Sequence, residues 1–187
     1  MHSINSSRMQ FIYKKIHRFW WIFFTFYKTC DIIIKNTGEN HNMEYRITEK
    51  EAFTIIGIGK RFNSETSYVE IPKLWDEYYE SDRCKGMNGM FGACVDCDGC
   101  NFDYYIADLY LPWQEIPEGY KTITFEKGSW AVFPWHGECP EALQTVNTQI
   151  WNEWLPSSKD YEMRANYNLE VYLSDTDGEI WLPVKKI

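Results

Sequence analysis

Two carboxylates and two large aromatic side chains lie close together near the carboxyl end of the chain. They are Glu170 and Tyr172 in the run L-E-V-Y, and Glu179 and Trp181 in the run E-I-W-L. A carboxylate beside electron-rich rings suits a flat or cationic ligand, through charge pairing and cation–π contacts. A plainer interpretation is a solvated outer strand face, where charged side chains are common. The choice depends on the elements that position these residues.

Alternating residue types predict two strands here, joined by the turn S-D-T-D-G into a hairpin. In each strand the apolar residues share one face and the acidic and aromatic residues share the other. We therefore expect the four acidic and aromatic side chains to face one groove, with the apolar set packed under helices. Trp135 and Tyr105, on earlier strands, are candidates to reach the same groove.

Two copies of one β-α-β-β unit account for the chain after Met43. Each copy has a strand, a helix and a hairpin, at 53–62, 67–81 and 90–111 in the first and at 122–133, 140–154 and 169–184 in the second. An offset of 76 residues aligns W-D-E-Y with W-N-E-W in the two helices. The strand at 122–133 is expected to bend or break near Gly128. The predicted fold class is α+β, with the two units paired about a pseudo-two-fold axis and a central groove between them.

Cysteines form the other group of residues with chemical potential. Four of them could hold zinc or an iron–sulfur cluster: Cys84, Cys94, Cys97 and Cys100. However, Cys94 is expected within a strand and the next two in the following turn, and no second C-x-x-C pair is present. We therefore predict reduced thiols, with no metal and no other cofactor. Since no secretory signal is evident, the expected compartment is the reducing cytoplasm.

Charge divides the chain into two regions. The net charge is −8, yet residues 1–42 are basic, so the remainder is more acidic than the whole and is not expected to bind nucleic acid directly. The aromatic run at 19–27 is followed by charges too soon to span a bilayer. We predict that 1–42 is a disordered extension or lies upstream of the true start at Met43, with a basic interfacial helix as the alternative. The domain is predicted at 43–187.

Several motifs in this domain resemble the GyrI-like small-molecule-binding domain, which is also the effector-binding domain of AraC-type and multidrug-responsive transcription regulators. These motifs are F-T-I-I-G-I, I-P-K-L-W-D-E, W-A-V-F-P-W-H-G and the closing E-V-Y with E-I-W-L-P-V-K-K. The family's fold is a duplicated β-α-β-β unit, in agreement with the repeat. Its regulators also carry a helix-turn-helix domain, for which this chain leaves no room, so a stand-alone member is expected.

The resemblance implies a role for the acids of the last hairpin. In multidrug-binding relatives an acidic residue on the strand before the final turn lies among aromatic residues and pairs with cationic drugs. Glu170 occupies that motif position, and Glu179 matches the acidic start of the final strand. The predicted ligand is therefore a hydrophobic or cationic small molecule. The predicted ligand-binding residues are Glu170, Tyr172, Glu179, Trp181, Trp135 and Tyr105.

Two other functions stay open for a stand-alone member. One is hydrolysis of cyclopropane-containing DNA-alkylating compounds, for which Glu170 and Glu179 would be the catalytic residues. The other is an interaction with a protein partner such as DNA gyrase, in which the acidic surface matters more than the groove. Residue types alone do not separate these functions from binding, which is the primary prediction.

Overall fold

The computed structural model describes residues 43–81 and 87–187. The strands are β1 (Arg46–Lys50), β2 (Phe53–Asn63), β3 (Phe91–Val95), β4 (Asn101–Leu109), β5 (Lys121–Phe125), β6 (Gly128–His136), β7 (Tyr161–Met163), β8 (Asn168–Tyr172) and β9 (Asp177–Lys186). The helices are α1 (Ser67–Glu80), α2 (Glu141–Gln149) and α3 (Leu155–Ser157), with a π-helical turn at Ile150–Trp154 between the last two. The extension at 1–42 and Cys84 lie outside the described residues.

The antiparallel sheet is symmetric about its centre. Its strand order is β1-β6-β9-β8-β3-β4-β2-β5, with β7 paired to β9. Strands at equal distances from the central β8–β3 contact are the corresponding strands of the two units. The duplicated α+β fold is therefore confirmed, and its pseudo-two-fold axis passes between β3 and β8.

Each unit is preceded by a short strand that pairs with the other unit. β1 precedes the first unit but pairs with β6 of the second, whereas β5 precedes the second unit but pairs with β2 of the first. The strand predicted at 122–133 is thus two strands, and the break at 126–127 lies beside Gly128 as expected. This exchange of the first strands links the two units more closely than the central contact alone.

The helices cover one face of the sheet, which we call the helix face. The 3.6-residue periodicity of α1 predicts its packing stripe, which consists of Ile71, Leu74, Trp75 and Tyr78. α2 and the π-helical turn pack through Leu143, Ile150 and Trp154 against β6 and β9. The helix face is therefore an ordinary helix-on-sheet core at both ends of the molecule.

The opposite face, which we call the inner face, is filled by aromatic rings instead of helices. Phe125 of β5 and Trp130 of β6 lie with their ring centroids 6.0 Å apart, although five other strands separate β5 from β6 in the sheet order. Phe53 of β2 also contacts Trp130, at 5.9 Å. These contacts between opposite ends of the sheet show that it curls into a half-barrel around its own side chains.

Candidate functional site

Glu170 lies on the helix face of β8, beside the pseudo-two-fold axis, and organises a partly buried hydrogen-bonded group. Its Oε2 atom accepts hydrogen bonds from the Tyr104 hydroxyl at 2.6 Å and the Tyr172 hydroxyl at 2.8 Å. Trp75 of α1 donates from Nε1 to the Tyr104 hydroxyl oxygen at 3.0 Å. Trp135 of β6 lies against the Tyr172 ring, with centroids 6.1 Å apart. We call these five residues the Glu170 cluster.

A glycine on the neighbouring strand makes room for the carboxylate. Gly92 of β3 is the cross-strand partner of Glu170. A Cβ atom at position 92 would overlap both the Tyr104 hydroxyl and Glu170 Oε2. The two tyrosines can therefore reach one carboxylate oxygen only because this strand position lacks a side chain.

Burial determines the protonation behaviour of the cluster. Loss of contact with water raises the pKa of the Glu170 carboxyl, and the hydrogen bonds from Tyr104 and Tyr172 act in the opposite direction. Burial, followed by the charge of Glu170, raises the pKa of both tyrosines well above the ordinary value. The tyrosines thus stay protonated as hydrogen-bond donors, and the carboxyl is the acid of this set whose pKa burial raises from the acidic range.

The expectation that all four hairpin residues face one groove is wrong. In the β8–β9 register, Val171 lies opposite Glu179 and Leu169 lies opposite Trp181. Paired residues of an antiparallel ladder share a face, so Glu179 and Trp181 lie on the inner face, away from Glu170. Alternation within each strand is as predicted. The error lies in the register between the strands, which the turn sets and alternation does not determine.

The negative charge of Glu179 is paired with a cationic side chain of the protein itself. Its Oε1 atom lies 2.7 Å from Nη2 of Arg46, and its Oε2 accepts a hydrogen bond of 2.7 Å from Trp181 Nε1. The ammonium nitrogen of Lys50 lies 3.7 Å from the centre of the Trp181 ring. This carboxylate therefore has a structural partner in place, whereas the partners of Glu170 within the described part of the chain are neutral donors.

The remaining predicted contacts divide between the two faces. Trp135 lies on the helix face with the cluster, and Tyr105 lies on the inner face. Sequence reasoning missed Tyr104 as a site residue and assigned Trp75 to packing. The signal for Tyr104 is indirect: it lies opposite Cys94, which the 76-residue repeat aligns with Glu170. The contact between Tyr104 and Glu170 can be inferred from that alignment only when the strand register is known.

The sequence also matches the model of a protein family, the integron-associated effector-binding proteins, over residues 46–184. The chain belongs to this family. A comparison with curated proteins finds no match.

Three solved structures share the fold of this effector-binding protein at low identity. SAV2435 bound to tetraphenylphosphonium has a TM-score of 0.66 and 22% identity, and the alignment covers 76% of this chain and 94% of that one. An integron cassette protein from the mobile metagenome of Vibrio cholerae has a TM-score of 0.63 and 19% identity, with 75% and 95% covered. A bacterial transcription regulation protein from Staphylococcus aureus has a TM-score of 0.59 and 22% identity, with 77% and 99% covered. The resemblance to GyrI-like effector-binding domains is thereby confirmed.

The alternative four-cysteine metal site does not assemble among the residues that the structure describes. Cys94 is partly buried on the helix face, whereas Cys97 and Cys100 lie in the turn after β3. Burial raises the pKa of the Cys94 thiol well above its ordinary value and raises that of Cys97 as well. In residues 43–81 and 87–187, no three His, Cys, Asp or Glu side chains converge as metal ligands.

Two cavities of the effector-binding protein lie away from the Glu170 cluster. One of about 310 Å³ lies between α1 and β2, beside Leu74 and Tyr78. The other, of about 600 Å³, opens on the inner face beside Tyr105, Phe125 and Tyr167. Neither is lined by Glu170. Within the cluster Tyr104 and Trp135 are buried, whereas Trp75, Glu170 and Tyr172 are only partly buried. Within the described ranges, no helix combines the length and apolar character needed to cross a membrane.

Proposed function

We propose that this effector-binding protein binds a lipophilic cationic small molecule at the Glu170 cluster. The observation that carries the proposal is a partly buried carboxyl whose hydrogen-bond partners among the described residues, Tyr104 and Tyr172, are neutral. Among the described residues, no cationic side chain forms an ion pair with it. A buried carboxylate without a counter-charge is unfavourable, and a bound cation would supply that charge.

The aromatic side chains around Glu170 favour the same class of ligand. Trp75, Trp135 and the two tyrosines present ring faces and edges to a desolvated site, where cation–π contacts are strongest. When a ligand separates these rings, apolar groups on the ligand would pack against them in place of the ring–ring contacts and would keep water out. A strongly hydrated cation such as a metal ion or a free ammonium lacks such a body and is a poorer fit.

A structural relative supports the choice of ligand class. SAV2435, which shares the fold, has been solved bound to tetraphenylphosphonium, a lipophilic cation. This compound is permanently charged, so its own protonation state does not complicate a binding experiment. It is therefore a suitable first probe for the present protein.

Ligand entry requires movement of the rings that close the cluster. Trp75 and Tyr172 contact each other edge to face, with centroids 5.1 Å apart, and Trp75 is carried by α1. Within α1 only Tyr78 is fully buried, so this helix has a smaller packed area than the central strands. Displacement of Trp75 with part of α1 is the proposed route to Glu170.

Hydrolysis of a strained alkylating compound is the second candidate function. The observation that favours it is the Glu170 carboxyl among hydrogen-bonding tyrosines, whose pKa burial raises in the direction that suits a general acid. Glu170 would protonate the compound as a carbon–carbon bond of the strained ring breaks, a water molecule would add to the other carbon of that bond, and the proton lost by the water would return to the carboxylate. Appearance of a ring-opened product with the wild type, and its loss in Glu170→Gln, is the result expected of an enzyme.

Binding of tetraphenylphosphonium to three proteins tests the proposed function. Isothermal titration calorimetry of Glu170→Gln is expected to show an affinity about thirty-fold weaker than wild type, since loss of a buried charge partner costs about 2 kcal/mol or more. Glu179→Gln is the matched control, because it makes the same change in the same hairpin on the opposite face. It should bind as wild type does. Equal losses in both variants, or no binding to the folded wild type, would refute the proposal.

A further inference from the structure

Trp135 carries a buried hydrogen-bond donor without a partner among the described residues. Its side chain is 1% exposed, and Nε1 makes no hydrogen bond to them. Indole N–H groups only donate, and buried donors in folded proteins are almost always paired. Trp130, on the inner face, has an unpaired Nε1 of the same kind. An unpaired donor therefore does not by itself indicate a ligand site. Trp135 differs from Trp130 in that it lies beside Glu170.

Two contacts define the position of Trp135 within the Glu170 cluster. Its ring lies over Gly178, its cross-strand partner in β9, where any Cβ atom would overlap the indole. On the same face it meets Tyr172, whose hydroxyl donates to Glu170. Cys139 follows three residues after the end of β6. Its thiol pKa is raised to about 11, first by burial and then by the charge of Glu170. This end of β6 thus adjoins the carboxylate.

We infer that Trp135 is a specificity-determining residue, whose Nε1–H donates to a hydrogen-bond acceptor on the ligand. The preferred ligand class is then a lipophilic cation that also carries a carbonyl oxygen, an ether oxygen or a ring nitrogen. A cation built only from hydrocarbon groups, such as tetraphenylphosphonium, neutralises Glu170 but leaves the indole donor unpaired. This inference rests on the proposed function, and it adds a second recognition element to the same site.

Matched phosphonium probes test the inference. Triphenylphosphonium cations whose fourth ring carries a methoxy group at the ortho, meta or para position are compared with the corresponding ethyl compounds, which have nearly the same size but no acceptor. The wild type is expected to bind at least one methoxy isomer about tenfold more tightly than its ethyl match, the effect of one buried hydrogen bond. Trp135→Phe should bind both members of that pair equally.

Trp130→Phe is the control variant, because Trp130 is equally buried and equally unpaired but lies on the other face of the sheet. It should keep the methoxy preference. Since the readout is a ratio of two affinities within one variant, a general loss of stability cancels. The inference is overturned if the wild type binds the methoxy and ethyl compounds equally, or if Trp135→Phe keeps the methoxy preference. Either result leaves the proposed binding of cations intact. Absence of binding by every probe would instead remove the proposed function.

Discussion

Glu170 and Glu179 are nine residues apart in the same hairpin, but their surroundings differ in charge. Arg46 lies beside Glu179, so that carboxylate is neutralised within the folded chain. Among the described residues, Glu170 receives hydrogen bonds from two phenolic hydroxyls, and burial raises its pKa. In the empty protein, the stability contributed by this group is present below its ordinary pKa of 4.5 and is lost as pH rises through the raised value. Glu170, the proposed binding residue, therefore lowers the stability of the fold at neutral pH.

The pH dependence of cation binding follows from this residue. Below the raised pKa, Glu170 holds a proton that a cation must displace, so affinity for tetraphenylphosphonium is expected to rise with pH and to level off above that pKa. Below the plateau the slope should approach about tenfold per pH unit. Calorimetry between about pH 5 and pH 8, repeated in buffers of different ionisation enthalpy, measures the affinity and counts the released proton. Glu170→Gln should show no such slope, and a pH-independent wild type would contradict this account of the carboxyl.

The sequence predicts the individual strands and helices better than it predicts their positions relative to one another. The stripe on α1 and the alternation in β8 and β9 are visible in the residue types, because each depends on periodicity within one element. The register between β8 and β9 depends on the geometry of the turn at 173–176, so the separation of Glu170 from Glu179 was not predictable from alternation. Tyr104 was missed for the same reason, since its contact with Glu170 crosses β3.

The close approach of β3 and β8 leaves no room for a side chain at position 92. Gly92→Ala places a methyl group against Glu170 and the Tyr104 hydroxyl, so it should lower the free energy of unfolding by about 1–3 kcal/mol and weaken tetraphenylphosphonium binding. Gly57→Ala is the matched control, because its methyl group would crowd Ala107 on the inner face. Thermal denaturation and calorimetry should show both variants destabilised but only Gly92→Ala impaired in binding. Equal affinities for the two variants would mean that position 92 does not border the ligand.

The whole molecule has a symmetric fold and asymmetric chemistry. The 76-residue repeat predicts two equivalent units, and the strand order confirms them. The exchange of β1 and β5 between the units was not predictable, since strands of five residues carry too little pattern to specify a distant partner. Only the second unit has a carboxylate at the centre of the helix face, where the repeat places Cys94 in the first. One cation per molecule is therefore the expected stoichiometry.

A crystal structure of the protein with tetraphenylphosphonium would locate the cation on one face of the sheet or the other. We expect one phosphonium on the helix face beside the Glu170 carboxylate, in contact with the rings of Trp75, Tyr104 and Tyr172, with Trp75 displaced from the position described above. A phosphonium in the cavity of about 600 Å³ beside Tyr105, with the Glu170 cluster unchanged, would contradict it.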